Sequence, residues 1–363
     1  MKKLLHYILV SFNIISLLAL ITAYLSIYIS PADFWLPAFF GLAYPVILII
    51  NLLFAIYWAF RKRKTLMIIT TVIIIVGISY ITDYIQFLPR INSSDNNKRT
   101  IKVLSYNVKL FDLYNWKKNK LTRNEIFDLI KDIDADIICF QEFYKENTNN
   151  FKTLDTILQF QKAKYFHEAY SRINRNKYFF GIITLSKYPI INKNVIDFEN
   201  SDNMCIYSDI VIDNDTIRVI NTHLESIRFD LKDYELIDTL NLEINKQEIE
   251  GIKSIFMRLK HAFMYRAAQA ELIAETIKNT PYPVILCGDL NDTPVSYSYH
   301  TIKGELKDSF KEAGIGMSNT YNGKFPSYRI DYIFHSPQLK CIDYEVIKKD
   351  LSDHYPITSQ IIL

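Results

Sequence analysis

Eight residues in the C-terminal three-quarters of this 363-residue chain have side chains that could do chemistry: Asn107, Glu142, His223, Asp289, Asn291, Asp331, Asp353 and His354. They lie in six short pieces: Ser105-Tyr106-Asn107-Val108, Gln141-Glu142, Thr222-His223-Leu224, Gly288-Asp289-Leu290-Asn291, Arg329-Ile330-Asp331-Tyr332 and Ser352-Asp353-His354. Carboxylates and amides are hard oxygen ligands suited to Mg²⁺ or Mn²⁺, imidazoles hold and exchange protons, and amide N–H groups can orient a phosphate. No Ser or Cys nucleophile is among the eight. The chemistry they imply is metal-assisted hydrolysis of a phosphoester.

The elements that must position them are strands. Apolar runs rich in β-branched residues, at 101–104, 137–140, 217–220, 284–287 and 332–334, lie directly beside these pieces. Strand ends would bring all the polar groups to one edge on rigid mounts. Taken singly, Asn107, Asp289 and Asn291 are ordinary turn formers, Glu142 and His223 solvated strand ends, and Asp353-His354 the end of a loop. Six such pieces in this order argue for the functional reading. His6, His167, His261, His300 and His335 have no partner pattern and are read as structural or surface residues.

The order and spacing of these motifs resemble the endonuclease/exonuclease/phosphatase superfamily, which includes DNase I-like nucleases, abasic-site endonucleases, neutral sphingomyelinases and inositol-polyphosphate 5-phosphatases. The resemblance runs from about residue 101 to 363. It implies a four-layer α/β/β/α sandwich with the site at one end. It also implies that Glu142 binds the essential divalent cation, Mg²⁺ or Mn²⁺, with Asn107 beside it and Asp353 as a further ligand. His354 is similar to the histidine at the scissile phosphate, with Asp331 fixing its tautomer. Asp289 and Asn291 match the Gly-Asp-x-Asn turn, where the aspartate positions the attacking water and the amide holds a phosphate oxygen. His223 resembles a second phosphate-side histidine. Asp289 and His354 share the role of base.

Two departures are visible. Abasic-site endonucleases carry an acidic residue two positions after the first asparagine, where this chain has Lys109, which weakens a DNA-repair reading. Arg172, Asn174, Arg175 and Tyr178, upstream of Gly181-Ile182-Ile183-Thr184-Leu185-Ser186, give no clear match to the family's mid-chain phosphate contact.

The first ninety residues read differently. Residues 4–29, 36–60 and 66–81, the last continuing to about 88, are almost wholly apolar and approach the ~20 residues that cross a bilayer core. Three transmembrane helices are expected, with Trp35, Trp58, Tyr84 and Phe87 near their ends. The first run is too long for a cleaved signal peptide, so an uncleaved anchor is expected. Lys2-Lys3 and Arg61-Lys62-Arg63-Lys64 belong inside by the positive-inside rule, leaving the C-terminal part outside. A bacterial inner membrane with a periplasmic or extracytoplasmic catalytic domain is the expected location. Asp83 is expected at the membrane interface.

The organisation expected is a membrane region at 1–90, a polar linker at 91–100 and a catalytic domain at 101–363. Net charge is only +3, so composition alone gives no sign of nucleic-acid binding. Of the four cysteines, Cys139 and Cys287 fall inside apolar strands, so no structural disulfide is expected. Residues 229–278 have helical composition, and Phe263, Ala267, Ala270, Ile273 and Ala274 mark an amphipathic helix on the sheet. Its Lys253, Phe256, Met257, Arg258, Lys260 and Phe263 either contact a substrate or membrane surface or form a solvated face.

Three functions stay open at this point. One is a membrane-anchored nuclease-type phosphodiesterase. The second acts on a phospholipid headgroup, sphingomyelin or an inositol phosphate. The third is a non-catalytic membrane-tethered scaffold. The partners expected are a phosphodiester substrate, nucleic acid or headgroup, and the membrane itself, with no protein partner.

Overall fold

Apolar residues all round a helix demand burial in lipid or protein, and the N-terminal region builds five helices, of which the last carries Asp83. The computed structural model describes residues 2–87, 99–148, 151–199, 201–227, 233, 246–323 and 328–363. Most of the expected linker at 91–100 lies outside these. Helix α1 (Lys2–Leu25) is unbroken and, among the described residues, the one helix long and apolar enough by itself to cross a membrane. The second expected run divides into α2 (Leu36–Leu42) and α3 (Tyr44–Phe60), bent by 69°, and the third into α4 (Lys64–Val76) and α5 (Ile78–Tyr84), bent by 57°. Pro45 has no N–H to offer the carbonyl four residues back, which breaks the first pair. At Gly77 the chain passes so close to α1 that a Cβ would sit 2.2 Å from the Tyr24 ring.

Inside this bundle several polar groups satisfy one another, while Asn13 Nδ2 and the Tyr44 hydroxyl have no hydrogen-bond partner among the described residues. Asn13 Oδ1 accepts from Trp58 Nε1 at 2.9 Å and from Thr70 Oγ1 at 3.2 Å, while Asn51 donates to the carbonyls of Ser16 and Ile47. Trp58, expected near an interface, is fully buried because Asn13 offers its indole a partner. Such interhelical hydrogen bonds contribute about 0.6–2 kcal/mol each in membranes.

Next come β1 (Ile85–Gln86), β2 (Thr100–Asn107), α6 (Thr122–Ile133), β3 (Ile137–Glu146), α7 (Thr153–Phe160), β4 (Tyr165–Asn174), β5 (Tyr178–Ser186), β6 (Ile190–Ile196), β7 (Met204–Ile212) and β8 (Asp215–His223). After these follow α8 (Lys246–Lys278), β9 (Val284–Asp289), α9 (Tyr297–Lys303), β10 (Lys307–Asp308), α10 (Ser309–Ala313), β11 (Gly316–Met317), β12 (Asp331–His335), β13 (Lys340–Val346) and β14 (Ile357–Ile362). One six-stranded sheet has the order β13-β14-β2-β3-β5-β4, the other β10-β12-β9-β8-β7-β6.

The period-two alternation of the strands sorts their apolar side chains between two layers. Val103, Ile137, Cys139, Val219, Ile285, Cys287 and Ile333 fill the space between the sheets. Their neighbours Leu104, Ile138 and Phe140 face α6 and α7, and Ile220, Leu286, Tyr332 and Phe334 face α8 and α9. Burial on both faces is why the strands read as continuous apolar runs. The result is a mixed α/β sandwich. All four cysteines are buried free thiols.

The helical bundle meets the second sheet's side. Val295 packs among Leu20, Tyr24 and Tyr44, and Ser26 Oγ donates to the Val295 carbonyl at 3.3 Å. Phe39 stacks on Phe256 of α8, with ring centroids 4.5 Å apart. Asp83, expected at an interface, is buried in an ion pair with Lys311. Burial without that cation would cost the carboxylate heavily.

Candidate active site

Two parallel pairs place the functional residues side by side. In β2 and β3 Asn107 lies opposite Gln141, and in β8 and β9 His223 lies opposite Asp289. β12 runs antiparallel to β9 and sets Asp331 opposite Asp289. Parallel strands end at one edge, so Asn107, Glu142, His223 and Asp289 arrive there together. Gly288 permits the close approach: a Cβ there would lie 2.1 Å from the Thr222 carbonyl oxygen.

Glu142 reaches the cleft through a β-bulge. Pairing of β3 with β5 shifts register between Phe140 and Phe143, and Glu142 takes a left-handed φ of 49°. A bulge re-aims a side chain, and this conformation costs a non-glycine residue about 1–2 kcal/mol. Asn291 is also left-handed, at φ 51°. Its backbone N–H donates to Asp289 Oδ1 at 2.8 Å, and its Nδ2 donates to the Leu224 carbonyl at 2.9 Å.

At the centre Asn107 Nδ2 donates to Asp289 Oδ2 at 3.0 Å and to Glu142 Oε1 at 3.3 Å. His354 Nδ1 lies 2.9 Å from Asp331 Oδ2, and its Nε2 faces Asp289 Oδ2 at 3.6 Å. His223 Nε2 is 3.6 Å from the same Asp289 oxygen and 4.0 Å from Glu142 Oε1. Seven of the eight sequence candidates thus surround one short span of space. Asp353 joins from the rim, where its Oδ2 meets Lys109 Nζ at 2.6 Å. The lysine that departs from the abasic-site pattern is the partner of an expected metal ligand.

Electrostatics follow from burial. Burial, followed by the charge of Asp353, pushes the Glu142 carboxyl up to about 7, although the side chain stays 36% exposed. Burial also raises Asp289, and the charge of His354 opposes that. For His354 burial alone would lower the imidazole pKa, but Asp331 and Asp289 outweigh it and hold it well above the ordinary histidine value. Both carboxylates thus favour the protonated imidazole, in which each ring nitrogen is a donor.

The donor set fits a hard divalent cation. Glu142, Asp289 and Asp353 offer carboxylate oxygens, and the Asn107 amide stands between two of those carboxylates. Turned over, that amide would present its oxygen to the same place, in exchange for its bonds to both carboxylates and for the one its Oδ1 accepts from the Lys109 N–H at 3.1 Å. Asp289, Asp331 and His354 also form a buried group with ligand atoms all within 4.8 Å of one another. In it His354 Nδ1 is already engaged by Asp331, so an acid–histidine pair facing Asp289 explains that group better than a cation does. The other Asp331 oxygen, Oδ1, has no hydrogen-bond partner among the described residues.

Several supporting residues had no role in the sequence reading. Arg329, 2% exposed, donates to Asp308 Oδ2 at 2.7 Å and to the Asp83 carbonyl at 3.0 Å, anchoring the chain two residues before Asp331. Thr320 Oγ1 accepts from the Asp331 N–H at 3.1 Å. Gln141 donates to Asn221 at 2.8 Å, tying the two sheets beneath the cleft. Arg266 faces Asp292 at 3.8 Å behind the Gly-Asp-x-Asn turn. Only adjacency to a motif marked Arg329 and Gln141 in the sequence. A cleft of about 210 Å³ beside Glu142 and His223 is lined also by Arg172, Phe180, Asp202 and Asn203.

Residues 104–354 match the profile of the Endonuclease/Exonuclease/phosphatase family, and residues 5–84 that of a domain of unknown function, DUF8431. No curated protein matches the chain. A family protein from Bacteroides vulgatus superposes with a TM-score of 0.53 at 17% identity, over 73% of this chain and 99% of its own. One from Bacteroides thetaiotaomicron gives 0.52 at 17% over 74% and 99%, and the mannosyl-6-phosphatase of the same species 0.50 at 17% over 72% and 100%. At these identities the likeness is one of fold.

Proposed function

Since the chain belongs to the Endonuclease/Exonuclease/phosphatase family, whose members are phosphoester hydrolases, we propose that it is a membrane-anchored phosphodiesterase dependent on Mg²⁺ or Mn²⁺. The observation that carries this reading is the line Asp331–His354–Asp289 beside Glu142 and Asn107. Glu142 and Asn107 would hold the cation, with Asp353 adjusting the charge from the rim. When bound, that cation supplies Lewis-acid polarisation of a phosphoryl oxygen. Asp289, held by the Asn291 N–H, orients the attacking water and takes its proton. His354, kept cationic by Asp331, faces the charge that develops on phosphorus-bound oxygen. His223 stands on the other side of Asp289, and Asn291 orients the phosphate.

Nuclease-type cleavage of a phosphodiester is the first substrate reading. Cleavage of a phospholipid headgroup, sphingomyelin or an inositol phosphate is the second, favoured by the docking of the apolar helices on Val295, which follows the Asp289 turn, and on α8. The three apolar runs are taken as three spans, two of them bent. With Lys2-Lys3 and Arg61-Lys62-Arg63-Lys64 inside by the positive-inside rule, three spans would leave the cleft on the extracytoplasmic side of a bacterial inner membrane. The test is an assay of the full chain in detergent with Mg²⁺ or Mn²⁺ against plasmid DNA, RNA, sphingomyelin and inositol phosphates, beside His354→Ala and Glu142→Ala. Nicking lost in both variants supports the nuclease; phosphocholine release lost in both supports the second reading. Equal turnover by the variants and the parent protein rejects the proposed site.

A further inference from the structure

Helix α8 is 33 residues long, about 50 Å, and only its C-terminal half is needed to cover the sheet. There Ala270 and Ile273 sit in the core. Its N-terminal half runs on, and one face of that half is apolar and basic. Ile249, Ile252, Phe256 and Phe263 follow the three- and four-residue spacing of a single helical stripe, with Lys253 and Lys260 on the same side.

The stripe has two parts. Phe256 and Phe263 rest on Phe39 of α2, at centroid distances of 4.5 and 5.2 Å, and Phe256 also meets Trp35 edge-on at 5.5 Å. Lys260 Nζ lies 4.8 Å from the centre of the Trp35 ring. Past α2 the same stripe continues with Ile249 and Ile252, 55% and 38% exposed. What surrounds α2 there is whatever surrounds the bundle, whose outer residues Leu18, Phe34 and Leu36 are exposed apolar groups too.

We propose that the N-terminal half of α8 lies on the bilayer, its Ile249–Ile252–Phe256 stripe in the acyl boundary and its lysines on anionic lipid phosphates. The inference rests on the bundle being a membrane anchor. Trp35 sets the depth, since an amphipathic ring settles at the headgroup level and α8 crosses it there. A basic, apolar-faced helix with Glu250 turned off the stripe and Glu248 at its border has the make-up of an interfacial helix. The helix that braces the Asp289 turn through Arg266 would thus also fix the height and tilt of the cleft above the membrane.

The test places a spin label at Ile252→Cys, Ser254→Cys or Leu18→Cys in the full chain, reconstituted in phosphatidylcholine–phosphatidylglycerol vesicles. The native thiols are buried and leave the introduced one to react. Relaxation by oxygen is compared with relaxation by a water-soluble nickel chelate. The expected result is that labels at 252 and 18 both lose most of the chelate effect, while that at 254, on the opposite side of the same turn, keeps it. A chelate-exposed label at 252 with a lipid-buried one at 18 overturns the proposal and leaves the anchor standing. Spin–spin broadening at 252 would show a second copy on the face and overturn it as well. A chelate-exposed label at 18 removes the anchor itself.

Discussion

Two sets of buried polar side chains, one in the helical bundle and one in the cleft, are built on opposite principles. In the bundle Asn13, Asn51, Trp58 and Thr70 are neutral and are matched donor to acceptor, save at Asn13 Nδ2. In the cleft Glu142, Asp289, Asp331 and His354 are ionisable and crowded within a few ångströms, and their carboxylates repel one another. A neutral network of this kind specifies packing; a charged and crowded one stores an electrostatic demand that a cation and a phosphate can meet. Removing a member of the first set should therefore cost stability and spare activity, and removing a member of the second should do the reverse.

The largest expected effects break the charged set. His354→Ala and Glu142→Gln should each lower kcat by on the order of 10³-fold, read in the phosphodiesterase assay. Glu142→Gln should at the same time raise or leave unchanged the melting temperature in chelator, because it deletes a carboxylate crowded by Asp353. The pH dependence has a defined sign. With a folded-state pKa raised to about 7 from 4.5, Glu142 binds more protons folded than unfolded between those values. Metal-free protein should then gain stability as pH falls from about 7 to about 4.5, and Glu142→Gln should lose that gain, measured by denaturant midpoints across the range.

Arg329→Ala tests the seam between the two regions. It leaves Asp308 buried without its guanidinium and removes the donor to the Asp83 carbonyl, and should cost about 3–5 kcal/mol in unfolding free energy. For the same reason a soluble piece starting near residue 98 should unfold at lower denaturant than the full chain. Asp331→Asn comes next, at about 10²-fold in kcat, with the His354 imidazole titrating closer to the ordinary histidine value by NMR. The smallest effect belongs to the neutral set. Asn13→Leu should cost about 1 kcal/mol of bundle stability by thermal unfolding in detergent and leave turnover unchanged.

How far the sequence revealed these regions follows the same division. Strand ends were legible because apolar runs of β-branched residues stop at a polar residue, and the parallel register of β2 with β3 and of β8 with β9 turns those stops into one edge. Nothing in Gln141-Glu142 marked the bulge, since a left-handed glutamate is a consequence of pairing with β5, not of local preference. The meeting of Lys109 with Asp353 joins residues 244 apart in sequence and has no local signature. Hydrophobicity gave the extent of the N-terminal runs but carries no direction, so the bends at Ala43 and Gly77 went unseen although Pro45 and Gly77 are their causes. Asp83 read as interfacial because its cation, Lys311, lies 228 residues away.

The central claim is that Glu142 and Asn107 hold a divalent cation while His354 serves the phosphate without binding metal. Calorimetric titration of Mn²⁺ into the full chain in detergent, into Glu142→Gln and into His354→Ala tests it most directly. Binding by the parent protein and by His354→Ala, and its loss in Glu142→Gln, is the expected result. Mn²⁺ binding that survives Glu142→Gln but disappears in His354→Ala would contradict it, and would move the cation to the group of Asp289, Asp331 and His354.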